Sequence, residues 1–278
     1  MAIYCLEHLD NKSFLELTRR DFRNFMLHAQ DEWHLSAARC NRELSMIHMM
    51  LAYCEDDNEE YEDYDRNASE KIKGIPKEEI RDIIFVPDED IEALYNKLMK
   101  EERYKEATLL GILYDSGCRK NEILQVERAS ITDDGNATNI VRGKRGKKFR
   151  VLYFQRTKDA FKKYEETRTD DSPMLFINGI GETATSGNIY DWVKRWVKDL
   201  KEVTGNNYEG LTVHSFRHCF VQNLKTGDHY LCKELGLGAL PIEKIKTLCH
   251  HESSDTTLKY SLRDDEKDIE DLFGIKIG

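Results

Sequence analysis

Between Leu248 and Ser261 the chain reads LCHHESSDTTLKYS, which sets His250 and His251 and a Ser/Thr-rich stretch ahead of Tyr260. A tyrosine so placed is either a packed aromatic or a nucleophile aimed by one of the histidines. A second cluster lies in TVHSFRHCF, where His214 and Arg217 stand three apart and so share one face of a helix. Thr212 is placed to cap that helix, and a helix N-terminus bearing an arginine and a histidine suits a phosphate. The same residues also fit a surface arginine beside a structurally hydrogen-bonded histidine. His214 and His218 have the spacing of paired zinc ligands, but Ser215 stands where H-E-x-x-H needs its glutamate, and neither metal nor cofactor is expected.

Two further groups gain weight only in combination. In SGCRKNEIL, Arg119 follows a glycine-ended helix and Glu122 comes three residues later, a pattern that alone is an ordinary solvated helix start. The stretch Arg142–Arg150, RGKRGKKFR, has six bases and no acid. Lys144 falls in its turn, where an ammonium can reach into a neighbouring site, while the basic residues around it suit nonspecific phosphate contact.

The elements that must position these groups are legible from periodicity. Leu17, Phe22, Phe25 and Met26, then Leu44, Ile47, Met50 and Leu51, recur at helical spacing and predict two amphipathic helices of a small N-terminal domain. An acidic stretch follows, and Gly74 and Pro76 mark a linker over 73–86. From Pro87 onward two more helices are expected, the second ended by Gly117. ATNIVRG and KFRVLYF, joined by the basic turn, read as a β-hairpin. Further helices are expected in TKDAFKKYEETRT, GNIYDWVKRWVKDLKEVTG, HSFRHCFVQNLKTG and PIEKIKTLCHH. The fold class is therefore mainly α with a small antiparallel sheet, in two domains, as a length of 278 residues suggests.

Bulk composition sets bounds. No apolar run approaches a membrane span and no signal peptide opens the chain, so a cytoplasmic protein without a membrane partner is expected. Seven scattered cysteines with no C-x-x-C read as reduced thiols. The formal charge of −10 argues at first sight against nucleic acid, but residues 55–70 hold nine acids and one base, leaving the rest of the chain near −2. That run is read as a solvated loop turned away from any polyanion.

In chain order, the arginine of GCRKNEIL, the lysine of the hairpin GKRGKK, HSFRH, and a histidine nine residues before a tyrosine resemble the catalytic domain of the tyrosine recombinases, the phage-integrase family. The resemblance runs from about Phe85 to Ser261. A weaker likeness in LTRRDFRNFM and LSAARCNRELSMIHMM points to the family's helical core-binding domain. It implies a two-domain DNA clamp, with a core-binding domain over 1–72, N-terminally shortened, and a catalytic domain over 87–278. Arg119 and Arg217 are then expected to hold the scissile phosphate, Lys144 to act as general acid, and His214 and His251 to complete the site around the nucleophile Tyr260, with Glu122 supporting it. Arg39, Arg42, Arg142, Arg145, Lys147 and Lys148 become DNA contacts.

The implied activity is site-specific recombination of double-stranded DNA for a mobile element, through a 3′-phosphotyrosyl link, by a homo-oligomer that is dimeric on each site and tetrameric in synapsis. A type IB topoisomerase shares this chemistry, and a DNA-binding regulator could keep the fold without it. Two guanidiniums suit the charge that builds on the nonbridging oxygens, and a phenol of pKa about 10 needs nearby positive charge and a base. Two departures stand out. His250 occupies a position the family usually gives to glycine, and HYLCKELGLGAL adds residues between Arg217 and His251, which are expected to reshape a partner contact or a lid. The closing segment, with Ile269, Leu272, Phe273 and Ile275 on one face, is expected to dock on a neighbour or on its own domain.

Overall fold

The computed structural model describes residues 1–57, 59–76 and 83–250. His251, Tyr260 and the closing apolar segment lie outside the described residues. The chain divides into two units, Met1–Arg81 and Asp82–Gly278.

The first unit holds α1 (Ala2–His8), α2 (Arg19–Asp31) and α3 (Ala37–Asp56). Thr18 and Asp21 exchange capping hydrogen bonds that start α2, and the Ser36 side chain caps α3. Phe22, Phe25 and Met26 meet Cys40, Leu44, Ile47 and Leu51 in its core. Met50, expected on that face, is instead exposed together with Met46, Met49 and Tyr53. It adjoins Leu51 in sequence, so the helical rotation of one residue swings it off the buried stripe. The end of the acidic stretch is bedded on α3: Asn67 Nδ2 donates to the His48 carbonyl (3.2 Å), and the Ser69 hydroxyl lies 3.3 Å from His48 Nδ1. Both ends of the 73–86 segment are anchored, Ile75 by Asn41 and Val86 by burial in the second unit's core.

The second unit is built around α5 (Tyr104–Ser116), buried at every position from Glu106 onward. It is flanked by α4 (Asp88–Lys100), α7 (Gln155–Thr167) and α9 (Val213–Thr226). The remaining helices are the single turn α6 (Lys120–Ile123), α8 (Ser186–Thr204), α10 (Tyr230–Leu235) and α11 (Ile242–Leu248). The only sheet among the described residues is the antiparallel pair β1 (Ala137–Arg142) and β2 (Lys148–Leu152), with Val141 opposite Phe149 and Arg142 opposite Lys148. The fold is thus mostly helical with one small hairpin. Among the described residues no helix is long and apolar enough to cross a membrane, and all seven cysteines are buried free thiols.

The added segment around α10 begins as core. His229 and Tyr230 are buried; Asp88 accepts from the Tyr114 hydroxyl (2.7 Å), the Tyr230 N–H (3.1 Å) and Lys233 (3.1 Å). Asp115 accepts from the Phe154 N–H and the Thr157 hydroxyl, both at 2.7 Å, and from the Tyr230 hydroxyl. Buried polar groups need such partners, so the start of this segment is tied to α4 and α5, and through Asp115 to α7.

Candidate active site

Three segments converge on one cavity of about 630 Å³ in the second unit: the start of α6, the hairpin turn and the start of α9. Each is placed by local chemistry. Gly117 ends α5 at φ +57, a left-handed conformation open to glycine, and a Cβ there would lie 2.6 Å from the Phe220 ring. That turn throws Arg119 to the start of α6. Thr212 and Ser215 cap α9 reciprocally, so the residue that breaks the zinc motif serves the cap and His214 stands in the first helical turn. Between β1 and β2 the chain makes a tight turn over Lys144–Gly146, with Arg145 at φ +60, which lifts Lys144 to the cavity rim.

Arg119, Glu122, Arg142, Lys144 and His214 all line this cavity. Glu122, 2 % exposed, accepts from the Arg119 backbone N–H (2.6 Å) and its guanidinium (2.9 Å), and so fixes the direction of the arginine. His214 keeps an exposed edge on the cavity, yet burial of its remainder, with the charges of His218, Arg217 and Arg119 adding, holds its pKa down to about 4. It is therefore neutral near pH 7 and able to accept a proton. Burial pushes Cys118 up to about 12 and Cys249 up to about 11, so neither thiol competes as a nucleophile.

Arg217 does not line the cavity. It is 2 % exposed, and its guanidinium donates to the Gly117 carbonyl and to the Cys249 carbonyl, the latter at 2.7 Å. It thereby staples the chain just before Arg119 to the chain just before His250. Its charge adds to the burial that holds the pKa of His214 down. Of the other expected DNA contacts, Arg145, Lys147 and Lys148 are exposed on the hairpin, with Lys147 donating to the His250 carbonyl (3.2 Å). Arg39 and Arg42 are exposed on α3 of the first unit, Arg39 paired with Glu43 (2.9 Å).

The cavity also contains residues that motif spacing did not single out for it: Lys120, Asn121, Thr212 and Tyr190. Tyr190 is 52 % exposed on α8, beside the buried stripe of Ile189, Trp192 and Val193. A tyrosine on the wet face of an amphipathic helix was the available signal. A rim of cations beside the start of α9 suits an anion of phosphate type.

A probable integrase/recombinase protein of Methanocaldococcus jannaschii is 24 % identical over 276 residues, covering 93 % of this chain and 76 % of that protein. Among solved structures, the XerH site-specific recombinase bound to a palindromic difH substrate superposes with a TM-score of 0.70 at 19 % identity, covering 99 % of this chain and 74 % of that one. The Tn1549 transposon integrase in complex with circular intermediate DNA gives a TM-score of 0.69 at 14 % identity, covering 96 % and 89 %. At such identities the likeness is one of fold. The phage integrase family model matches residues 84–267, the span that contains every element of the cavity, and the chain belongs to that family, the tyrosine recombinases.

Proposed function

We propose that the chain cleaves and rejoins DNA strands by transesterification at this cavity, as the integrase or transposase of a mobile element. The carrying observation is the convergence of Arg119, Lys144 and His214 on one cavity. The Tyr260 oxygen attacks the scissile phosphorus, forming a 3′-phosphotyrosyl bond as the bond to the 5′-oxygen breaks. The phenolic proton passes to His214, and Lys144 protonates the departing 5′-oxygen. Arg119 binds the nonbridging oxygens as charge builds on them, and Arg217 adds positive potential from behind the wall. An incoming 5′-hydroxyl reverses the sequence and frees Tyr260. His251 supports the same phosphate. An arriving phosphate offsets the cationic surroundings that depress His214 and so strengthens it as a base.

The partner is a double-stranded recombination site gripped by both units as a clamp, with Arg39 and Arg42 on α3 and the hairpin cations on the backbone. Exchange between two sites calls for a dimer on each and a tetramer in synapsis, in the cytoplasm where the element's DNA resides. The test is a duplex carrying the end junction of the encoding element, nicked beside the scissile phosphate so that the freed 5′ fragment drifts away. In EDTA the parent chain is expected to give a covalent adduct on a denaturing gel, and Tyr260→Phe none. An adduct from Tyr260→Phe, or one that EDTA abolishes, overturns the mechanism.

A further inference from the structure

His250 sits at φ +55, a conformation that suits glycine and strains a ring-bearing residue, and such strain persists where the surroundings hold it. Two contacts hold it, and both come from the hairpin. Its imidazole stacks on Phe149 of β2, with ring centroids 4.0 Å apart and planes 29° from parallel. Its carbonyl accepts from Lys147, where the turn enters β2. The Phe149 ring in turn underlies the residue before Lys144: a Cβ on Gly143 would meet it at 2.7 Å. A two-stranded hairpin is marginal without something to pack against. This hairpin lies on the core through Val141 and Val151, and the group that reaches its turn end from the end of α11 is the side chain of His250.

We infer that His250 is a positioning residue, whose ring latches the β1–β2 hairpin to the end of α11 and so sets the reach of Lys144 toward the scissile phosphate. The inference rests on the reading of Lys144 as general acid. A glycine at position 250 would relax the backbone but leave the hairpin tip free to drift. A proton donor displaced by even an ångström loses much of its effect on rate. Burial, with the charge of Lys147 adding, holds the pKa of the imidazole down, so the latch near pH 7 is a neutral stack.

The experiment compares the nicked duplex above with the same duplex bearing sulfur in place of the bridging 5′-oxygen, because a thiolate leaves without a proton. His250→Gly folds readily at φ +55 and is expected to slow cleavage of the oxygen substrate about 10- to 100-fold while cleaving the sulfur substrate near the parent rate. Phe149→Leu should give the same substrate-dependent loss, and the double variant should be no slower than either single one. If His250→Gly cleaves the oxygen substrate at the parent rate, is slowed equally on both substrates, or multiplies with Phe149→Leu, the latch is refuted. Failure of the underlying reading shows elsewhere: Lys144→Ala would then gain nothing from sulfur, whatever His250 does.

Discussion

Glu122 offers the sharpest separation of a structural from a functional role, through Glu122→Gln. The carboxylate is buried and gives one oxygen to the Arg119 backbone N–H at 2.6 Å and the other to its guanidinium at 2.9 Å. Glutamine keeps one acceptor and turns an amide N–H toward the other donor, so one charge-assisted bond is lost. Such a bond contributes about 1.5–3 kcal/mol, which for a unit of this size lowers Tm by roughly 2–4 °C for each kcal/mol. Arg119 remains but loses its fixed direction, and a misdirected donor to developing phosphate charge is expected to cut the rate about 10- to 100-fold. DNA affinity should hold or tighten, because an acid beside the phosphate has gone. Single-turnover adduct formation across a DNA titration, run well below the variant's Tm, separates the two effects. A parent-like rate constant in folded Glu122→Gln, or a loss expressed wholly as weaker binding, would refute the assignment.

Two further predictions follow from buried groups. Arg217→Lys keeps the charge, but a lysine ammonium cannot present the planar fork that holds the Gly117 and Cys249 carbonyls. Stability in urea should fall by about 1–3 kcal/mol and adduct formation should fall with it, whereas parent-like stability would show the staple to be dispensable. His229 and Asp115 should have opposite pH signatures. His229, 0 % exposed, directs Nε2 at the Tyr114 carbonyl (3.0 Å) and accepts the Leu231 N–H on Nδ1 (3.2 Å), so it is neutral, and burial takes its pKa down to about 4. The unfolded chain then binds the proton first, and stability present above pH 6.5 is lost as pH falls toward 4. Burial raises Asp115 to about 6, so its contribution is present below 3.8 and lost as pH rises toward 6. In Asp115→Asn the His229 slope should emerge against the parent, about 3 kcal/mol between pH 4 and 6.5, and His229→Gln should show the reverse slope. Urea midpoints across that range that run parallel to the parent's for both variants would contradict these environments.

How much of this was legible in the sequence depends on what each residue answers to. Periodicity placed α2, α3, α7, α8 and α9, because their apolar residues recur on one face and packing honours that pattern. Gly117 and Thr212 were readable because ending and starting a helix are local acts with few suitable residue types. The hairpin was readable from its β-branched strands and basic turn. Arg217 was not readable as a staple: two backbone carbonyls separated by 132 residues of chain take its hydrogens, and no local pattern announces that. The packing of the α10 segment was hidden for a related reason. The insertion suggests a partner contact or a lid, and nothing local shows that the partners of His229 and Tyr230 lie on α4 and α5, more than a hundred residues earlier. Tyr190 stayed hidden because nothing in its own helix tells which neighbour its wet face meets.

Net charge misleads on the same principle. At ordinary ionic strength a charge acts over about 8–10 Å, so a phosphate in the cavity responds to the groups that line it and not to a total of −10. Those groups are Arg119, Lys120, Arg142 and Lys144 against the single acid Glu122, whose carboxylate is already committed to Arg119. The start of α9 adds its dipole in the same sense. The acids that dominate the sum are concentrated between Glu55 and Glu70, in the unit that does not contain the cavity, and their closing residues are tied down to α3 through His48. An acidic chain can therefore present a strongly cationic site, because folding sorts its charges by address. Gly117 sets the address of Arg119, and the tight turn between β1 and β2 sets that of Lys144.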